Sequence, residues 1–157
     1  MKVIVEKLHA DSKLPEYAHP GDAGADVFAY IKGMAEAINN GEKPAYIVFS
    51  PGQTLIVPCG ILLQGPPTFE FQVRSKSGLA AKESLMVLNS PGTIDPGYRG
   101  EIGIILHNTS RSSSVVVNHG QKIAQLVIAP VLRGDFVEGT VDGNTKRGNG
   151  GYGSTGK

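Results

Sequence analysis

The chain has 157 residues, 40% of them hydrophobic and 18% charged, which fits one globular domain rather than a disordered segment. Its formal net charge of +1 gives no electrostatic basis for binding long nucleic acid or an anionic membrane. The single cysteine, Cys59, excludes an internal disulfide framework and favours the cytoplasm or another reducing intracellular compartment. No apolar run reaches the length of a membrane-spanning helix, and the charged N-terminus predicts no signal peptide.

Short apolar runs between glycines and prolines predict an all-β fold. FEFQV alternates strictly and places Phe69, Phe71 and Val73 on one face. Strands of this length and spacing are typical of a jelly-roll-like antiparallel β sandwich or barrel. In chain order, the predicted strands lie in KVIVEKL, TLIVPCGILL, FEFQV, LMVL, EIGIILH, SVVVN, KIAQLVI and DFVEGTV.

Helical signal is scarce, and the fold is expected to contain at most one short helix. SGLAAK can form one or two helical turns, and KGMAEAINNG can form a short helix inside a loop. The sequence shows no internal repeat and no second domain. We therefore predict one β domain over residues 1–142, followed by a flexible glycine-rich C-terminal arm over residues 143–157.

The end of this arm, RGNGGYGSTG, has two interpretations. It holds five glycines in ten residues and cannot bury enough apolar surface to offset the entropy of ordering it. One interpretation is an exposed terminus. The other is a mobile arm that closes over a phosphate, using Arg147, the hydroxyls of Ser154 and Thr155, and glycine backbone N–H groups.

Two polar stretches precede the middle of the chain. In GDAGADVFA, Asp22 and Asp26 flank small residues, which by itself favours a turn with Asx capping. In VRSKSGLAAK, basic residues and Ser77 stand immediately before a helix start predicted at Gly78. A helix N-terminus with these neighbours suits a phosphate, although Ser77 is equally compatible with a simple N-cap.

The stretch LNSPGTIDPGYRGEI carries the most information. The turn formers SPG and DPG bracket Thr93 and Ile94 and predict a tight hairpin. A hairpin tip presents backbone N–H and C=O groups in a fixed order, which suits the N3–H and O4 of a uracil-like ring. Asp95 precedes a Pro-Gly turn and can hold and deprotonate a water, and Tyr98 offers a flat ring to a sugar. A surface hairpin without function is the alternative.

The remaining polar candidates are weaker. Gln125 in GQKIAQLVI lies among apolar residues, so its amide needs partners from the core or from a ligand phosphate. The histidines show no metal-ligand spacing with one another or with Cys59, and we interpret them as surface or core residues. No nucleophile elbow, Walker loop or dinucleotide-binding glycine motif is present. The histidines in question are His9, His19, His107 and His119.

Together and in this order, five stretches resemble the five motifs of the trimeric dUTPase family, from about residue 15 to the last residue. They are GDAGADVFA, VRSKSGLAAK, VLNSPGTIDPGYRGEI, GQKIAQL and RGNGGYGSTG. The resemblance implies hydrolysis of dUTP to dUMP and pyrophosphate on a jelly-roll fold. It further implies Mg²⁺ as cofactor and a homotrimer with three active sites at its subunit interfaces.

The resemblance also implies roles for individual residues. Asp95 would activate the attacking water, and Asp26 would hold waters of the Mg²⁺. The residues implied for the uracil and deoxyribose are Asn89, Gly92, Thr93, Ile94, Tyr98 and Tyr152. The residues implied for the phosphate chain are Arg74, Lys76, Ser77, Gly78, Gln125, Arg147, Gly153, Ser154 and Thr155.

Three features depart from the family pattern. Lys76 stands where an arginine is usual, which removes the planar bidentate fork but keeps the charge. Arg74 is close enough to share the phosphate, so the working cation of this motif stays open between the two. Tyr152 replaces the usual phenylalanine, and residues 31–46 lie in a segment longer than is usual between the first two motifs.

Two other functions remain open from the sequence. A dCTP deaminase-related enzyme would need a catalytic glutamate beside the base in place of Asp95, and it would not need the glycine-rich arm. A non-catalytic, dUTPase-like regulatory binding protein would be expected to lack Asp95 or Arg147. Both of these residues are present.

Overall fold

The computed structural model describes residues 1–35, 37–38 and 45–151, which form eleven β-strands and one helix. The helix α1 (Ser77–Glu83) lies between the sixth and seventh strands. No helix in the described residues is long and apolar enough to cross a membrane. The strands are β1 (Ile4–Lys7), β2 (Gly24–Phe28), β3 (Tyr46–Phe49), β4 (Thr54–Pro58), β5 (Ile61–Gln64), β6 (Phe69–Ser75), β7 (Leu85–Val87), β8 (Gly92–Ile94), β9 (Gly103–Asn108), β10 (Val115–Asn118) and β11 (Lys122–Pro130).

The largest sheet is antiparallel and has the strand order β2-β11-β6-β8. A second sheet has the order β4-β9-β7, and two strand pairs, β1-β5 and β10-β3, complete the described β structure. Most of these neighbours are distant in sequence, as in a jelly roll. The predicted all-β class with one short helix is therefore confirmed.

Alternation along the strands places one face of each sheet in a common apolar core. In β6, Phe71 and Val73 are buried, whereas Phe69 is only partly buried. The largest side chains with essentially no exposure include Phe49, Ile47 and Leu106. The opposite face of β6 carries polar side chains, and this face becomes important for the site.

Two predicted strands differ from the structure. TLIVPCGILL forms two strands, because Gly60 adopts a φ of +66° between them, a conformation that favours glycine. DFVEGTV forms no strand in the described structure, and Phe136 is fully exposed. Its Phe, Val and Thr residues suit a strand, but no strand of the described residues pairs with it to complete the backbone hydrogen bonds.

The two helical predictions have different outcomes. SGLAAK is helical as α1, which begins at Ser77 with Lys76 as the N-cap residue and no side-chain capping bond. Ser77 is therefore not the cap. The described residues of KGMAEAINNG form no helix, because Ile38 pairs with Tyr46 through two backbone hydrogen bonds of 2.7 and 3.1 Å. Glu36 and residues 39–41 of that stretch lie outside the described residues.

The predicted tight hairpin at residues 92–94 is wrong. Strand β8 pairs with β6, with Thr93 opposite Gln72, whereas β7 pairs with β9. The turn signals marked where the chain bends but not which strand it joins. The DPG turn itself is present, since the Tyr98 N–H donates to the Asp95 carbonyl at 3.0 Å. As the last strand of its sheet, β8 has one edge without a strand partner in the described structure.

Candidate active site

A row of polar side chains crosses the four-stranded sheet on the face opposite the core. Gln125 in the central strand β11 lies opposite Asp26 of β2 and Arg74 of β6. Directly opposite residues of an antiparallel pair share a face, and the flanking Ala124 and Leu126 are buried in the core. The three polar side chains therefore point away from the core. Together with Lys76 they line a cleft of about 400 Å³, here called the Asp26 cleft.

Asp26 is the buried carboxylate of this cleft, with a side chain only 8% exposed. Its Oδ1 binds the Lys76 ammonium, and its Oδ2 lies 3.0 Å from Lys122 Nζ. Lys122 also contacts Glu16 Oε1 at 2.8 Å. Burial raises the pKa of Asp26, but the hydrogen bonds and charges of the two lysines outweigh it, so the pKa lies below its ordinary value. The carboxylate is thus held in its ionised form.

Gln125 is held over the sheet by two features of its surroundings. Its Nε2 donates to the Ser75 carbonyl at 3.2 Å. Its Oε1 lies where a Cβ at position 24 would come within 2.2 Å, so Gly24 leaves room for this amide. The side chain is half-buried and borders the cleft. Gln125 therefore has a partner in the protein and still faces the space available to a ligand.

The two cations of the second motif are held differently. Arg74 is exposed, and its guanidinium donates to Gln72 Oε1 at 2.6 Å. Gln72 in turn donates to Glu70 Oε1 at 2.7 Å, so the contacts run along β6. Lys76 instead points across the sheet to Asp26. Ser77 and Gly78, the exposed first residues of α1, directly follow Lys76.

A second cleft of about 190 Å³, here called the Asp95 cleft, lies at the end of β8. It is lined by Thr93, Ile94, Asp95 and Tyr98, together with residues 101–103. Asp95 is exposed at the turn. The Tyr98 hydroxyl donates to the Glu101 carbonyl at 3.1 Å. The cleft therefore places a carboxylate and an aromatic ring beside the edge strand.

Ser75 connects the region of Gln125 to the segment before β8. Its carbonyl accepts from Gln125, its Oγ accepts from the Val87 N–H at 2.9 Å, and its N–H donates to Ser90 Oγ at 3.4 Å. Asn89 is exposed and lies against Gly92, where an added Cβ would come within 3.0 Å of the Asn89 amide. The segment before β8 is thus hydrogen-bonded to the end of β6.

The fifth motif is only partly described. Arg147 is exposed, and its Nε donates to the Gly150 carbonyl at 3.1 Å within a local turn. Tyr152, Gly153, Ser154 and Thr155 lie outside the described residues.

The structure adds residues that sequence reasoning missed. Lys122 binds Asp26, and Glu16 binds Lys122. Ser75 connects the second motif to the third through hydrogen bonds with Val87 and Ser90. Lys122 and Ser75 lie inside quoted motifs, but their side-chain partners depend on strand pairings that periodicity does not reveal. Glu16 reaches Asp26 through an isolated β-bridge and carried no sequence signal.

The donor set suits a metal held through water and substrate. No group of three or more His, Cys, Asp or Glu side chains that could hold a metal ion occurs in the described residues. Among the described residues, Asp26 is the one buried carboxylate, and it already binds the ammonium groups of Lys76 and Lys122. Carboxylate oxygen is a preferred ligand of Mg²⁺, which often keeps several waters. Asp26 therefore fits the role of a water-mediated contact to Mg²⁺.

The sequence profile of the dUTPase family matches residues 10–156. The chain belongs to the dUTPase family. It is 46% identical to the deoxyuridine 5'-triphosphate nucleotidohydrolase of Gloeothece citriformis over 156 residues, which cover 99% of this chain and 97% of that protein.

Solved dUTPases share the fold. The dUTPase of Staphylococcus bacteriophage 80alpha, solved with dUPNHPP, matches with a TM-score of 0.82 at 24% identity over 99% of both chains. A mutant dUTPase from phage phi11 of S. aureus, whose structure describes the coordination of a structural Mg(II) ion, matches with a TM-score of 0.72 at 24% identity. That match covers 88% of this chain and 96% of the phage protein.

The dUTPase motifs are distributed over two separate places in one chain. Residues of the first, second and fourth motifs line the Asp26 cleft, whereas the third motif lines the Asp95 cleft. No described residue lines both clefts.

Proposed function

We propose that this dUTPase family member hydrolyses dUTP to dUMP and pyrophosphate by in-line attack of an Asp95-activated water on the α-phosphate, with Mg²⁺ as cofactor. The reaction would limit uracil in DNA and supply dUMP for dTMP synthesis. The observation that carries the proposal is the pair of clefts. One holds the cations and amide suited to a triphosphate, and the other holds a carboxylate beside an edge strand.

Base recognition is assigned to the edge of β8. Backbone groups from Gly92 to Ile94, including Thr93, would bind the N3–H and O4 of uracil, and Asn89 beside Gly92 would add its amide. Cytosine has the reverse donor and acceptor at these positions and would be rejected. Tyr98, fixed through its hydroxyl, would pack against deoxyribose and exclude a 2′-hydroxyl. Tyr152 would cover the base.

The phosphate chain is assigned to the other cleft and to the arm. Lys76, the start of α1 at Ser77 and Gly78, and Gln125 would bind its oxygens, with Arg74 at the rim. Arg147 would pair with the γ-phosphate, and Gly153, Ser154 and Thr155 would complete the clamp. When bound, Mg²⁺ would neutralise part of the triphosphate charge. Asp26 would hold its water ligands.

Asp95 supplies the chemistry of the attacking water. Its carboxylate accepts a hydrogen bond from the water, orients it for in-line attack and takes its proton. Phosphoryl transfer depends on positioning and charge stabilisation rather than on a covalent enzyme intermediate. The DPG turn fixes the backbone of Asp95. Its side chain is exposed and therefore accessible to a substrate.

A homotrimer with active sites at its subunit interfaces is supported by the separation of the clefts. A neighbouring subunit would bring its Asp95 cleft against the Asp26 cleft, so that each site uses at least two chains. The segment before the arm also has unburied apolar side chains, which need cover. Leu132, Phe136, Val137 and Val141 are 85–102% exposed.

We retain residues 1–142 as the β domain and residues 143–157 as the arm that closes over the site. Closure would exclude water and complete the phosphate contacts. A cytoplasmic or other reducing location is proposed from the single cysteine. Cys59 is free and buried, and burial raises its thiol pKa to about 12.

The test is pyrophosphate release from dUTP, compared with dCTP and dTTP, with and without Mg²⁺. We expect pyrophosphate to be released from dUTP but not from dCTP or dTTP, and only when Mg²⁺ is present. Ammonia release from dCTP would support the deaminase-related alternative. No turnover of any nucleotide would overturn the enzyme and favour a regulatory binding protein.

A further inference from the structure

The two oxygens of Asp26 are held by lysines in different situations. Lys122 lies between two carboxylates, at 3.0 Å from Asp26 Oδ2 and 2.8 Å from Glu16 Oε1. Lys76 binds Asp26 Oδ1 and has no second acidic partner among the described residues. If both lysines lost Asp26, Lys122 would keep a carboxylate and Lys76 would have none.

The positions of the two lysines differ as well. Lys76 lines the Asp26 cleft, whereas Lys122 does not. Oδ1 is therefore the oxygen that binds a lysine of the cleft lining. A cation that takes the place of the ammonium at Oδ1 displaces Lys76.

Asp26 itself has little freedom to move. Its strand pairs with β11, and its backbone exchanges hydrogen bonds of 2.7 and 3.1 Å with Glu16. Lys76, by contrast, is partly exposed and carries its charge on a flexible stem. A rearrangement at Oδ1 would thus be a movement of the lysine.

We infer that Lys76 is an exchangeable cation. It occupies Asp26 Oδ1 in the nucleotide-free protein and transfers to the triphosphate when Asp26 receives the hydrated Mg²⁺ of the nucleotide, while Lys122 holds Asp26 in place. The inference rests on the proposed function. It assigns Lys122 as a positioning residue and gives Lys76 two successive partners.

The exchange couples metal and phosphate binding. A metal ion alone must displace Lys76 and leave its ammonium without an anion. The form of the protein in which Asp26 is free to bind the metal is therefore scarce, and the apparent affinity for the metal is reduced. A metal–nucleotide complex offers Lys76 a phosphate in return. Lysine suits this transfer, because a compact ammonium is bound as a point charge and not through the fixed bidentate geometry of arginine.

The first test measures the binding of Mn²⁺ without nucleotide. The electron paramagnetic resonance signal of the free ion reports how much Mn²⁺ stays unbound. In Lys76→Met, we expect Mn²⁺ to bind about tenfold more tightly than in the unaltered protein, a difference of about 1.4 kcal/mol. Lys76→Gln should behave alike and serves as the second variant if the methionine variant folds poorly. Adding Asp26→Asn to either variant should abolish the gain, which identifies the site.

Arg74→Met is the matched control. It removes the same charge from the same cleft, but Arg74 contacts Gln72 and not Asp26. Its Mn²⁺ affinity should stay within about twofold of the unaltered protein, because only screened, longer-range repulsion is lost. An equal gain in Arg74→Met, or no gain in Lys76→Met and Lys76→Gln, would overturn the exchange.

The second test measures binding of a non-hydrolysable dUTP analogue with Mn²⁺. Here Lys76→Met should weaken binding about tenfold, the opposite sign to its effect on Mn²⁺ alone. A purely structural role would change both affinities in the same direction and contradict the inference. Neither binding test requires turnover, so failure of the exchange is distinguishable from failure of dUTP hydrolysis, which pyrophosphate release tests separately.

Discussion

Asp26 and Asp95 are both carboxylates of the candidate site, but the fold buries the first and exposes the second. Asp26 is buried on a strand of the four-stranded sheet, with both oxygens bound to lysines. Asp95 is exposed on a turn and has no ion pair among the described residues. Both oxygens of Asp26 have partners within one chain, whereas the side chain of Asp95 is exposed to solvent.

Because of this difference, we expect changes at the two carboxylates to affect different properties. A change at Asp26 should alter both the free energy of unfolding and the binding of metal and nucleotide. A change at Asp95 should alter turnover and leave the fold intact, because its side chain supports no other group that the structure describes.

The largest effect is expected for Asp95→Asn. The amide keeps the shape of the side chain but cannot take the proton, so kcat should fall by about 10²–10⁴ while dUTP still binds. Pyrophosphate release and nucleotide titration measure the two quantities. Near-normal turnover would mean that the water is activated elsewhere.

Deletion of residues 147–157 should have the next largest effect. The proposed trimer and initial nucleotide binding should survive, whereas hydrolysis should fall by about 10²-fold because the triphosphate is no longer enclosed and oriented. Sedimentation gives the assembly state, and single-turnover kinetics give the chemical step. A truncated protein with normal turnover would show that the arm is only an exposed terminus.

Tyr98→Ala should change specificity more than fold. Loss of the ring would admit the 2′-hydroxyl of UTP, and the preference for dUTP over UTP should fall by about tenfold or more. The ratio of kcat/KM for dUTP to that for UTP measures this preference. Tyr98→Phe is the control, because it keeps the ring. An unchanged ratio in the alanine variant would contradict the assigned contact.

The effect on the fold should be the smallest of these changes. Besides losing metal and nucleotide binding, and with them turnover, Asp26→Asn should lose about 1 kcal/mol of unfolding free energy at pH 7. Because the folded pKa of Asp26 is lowered, its contribution is present above the unfolded pKa of about 3.9 and disappears as pH falls through the folded pKa. The difference from the unaltered protein should therefore shrink below about pH 4.

Urea unfolding at pH 7 and at low pH measures this difference. Asp95→Asn is the matched control and should leave the unfolding free energy unchanged at pH 7. If Asp26→Asn is as stable as the unaltered protein at pH 7, the lysine pairs contribute nothing to the fold.

Much of the fold was predictable from local patterns. Alternation in FEFQV and the apolar run KIAQLVI gave strands β6 and β11, and SGLAAK gave the helix, because these signals depend on neighbours in sequence. The pairing of β8 with β6 was not predictable, since turn residues do not specify a partner strand. DFVEGTV has residues that favour a strand, but it pairs with no strand in the described part of the chain.

The candidate site divides in the same way. Motif resemblance predicts Asp26, Lys76 and Gln125 as site residues, and the structure places all three at one cleft. The link from Lys122 to Asp26 required the register of β11 against β2, which includes an irregularity between Lys122 and Ala124. Long-range register of this kind leaves no mark in a single sequence.

The central claim is that one active site combines the Asp26 cleft of one subunit with the Asp95 cleft of another. The most direct measurement mixes Asp26→Asn and Asp95→Asn subunits by co-refolding and follows pyrophosphate release from dUTP. Random mixing in a symmetric trimer should leave about one quarter of the sites with both carboxylates, so activity should rise to about that fraction of the unaltered enzyme. A mixture no more active than the two separate variants would contradict the claim and place both carboxylates of each site in one chain.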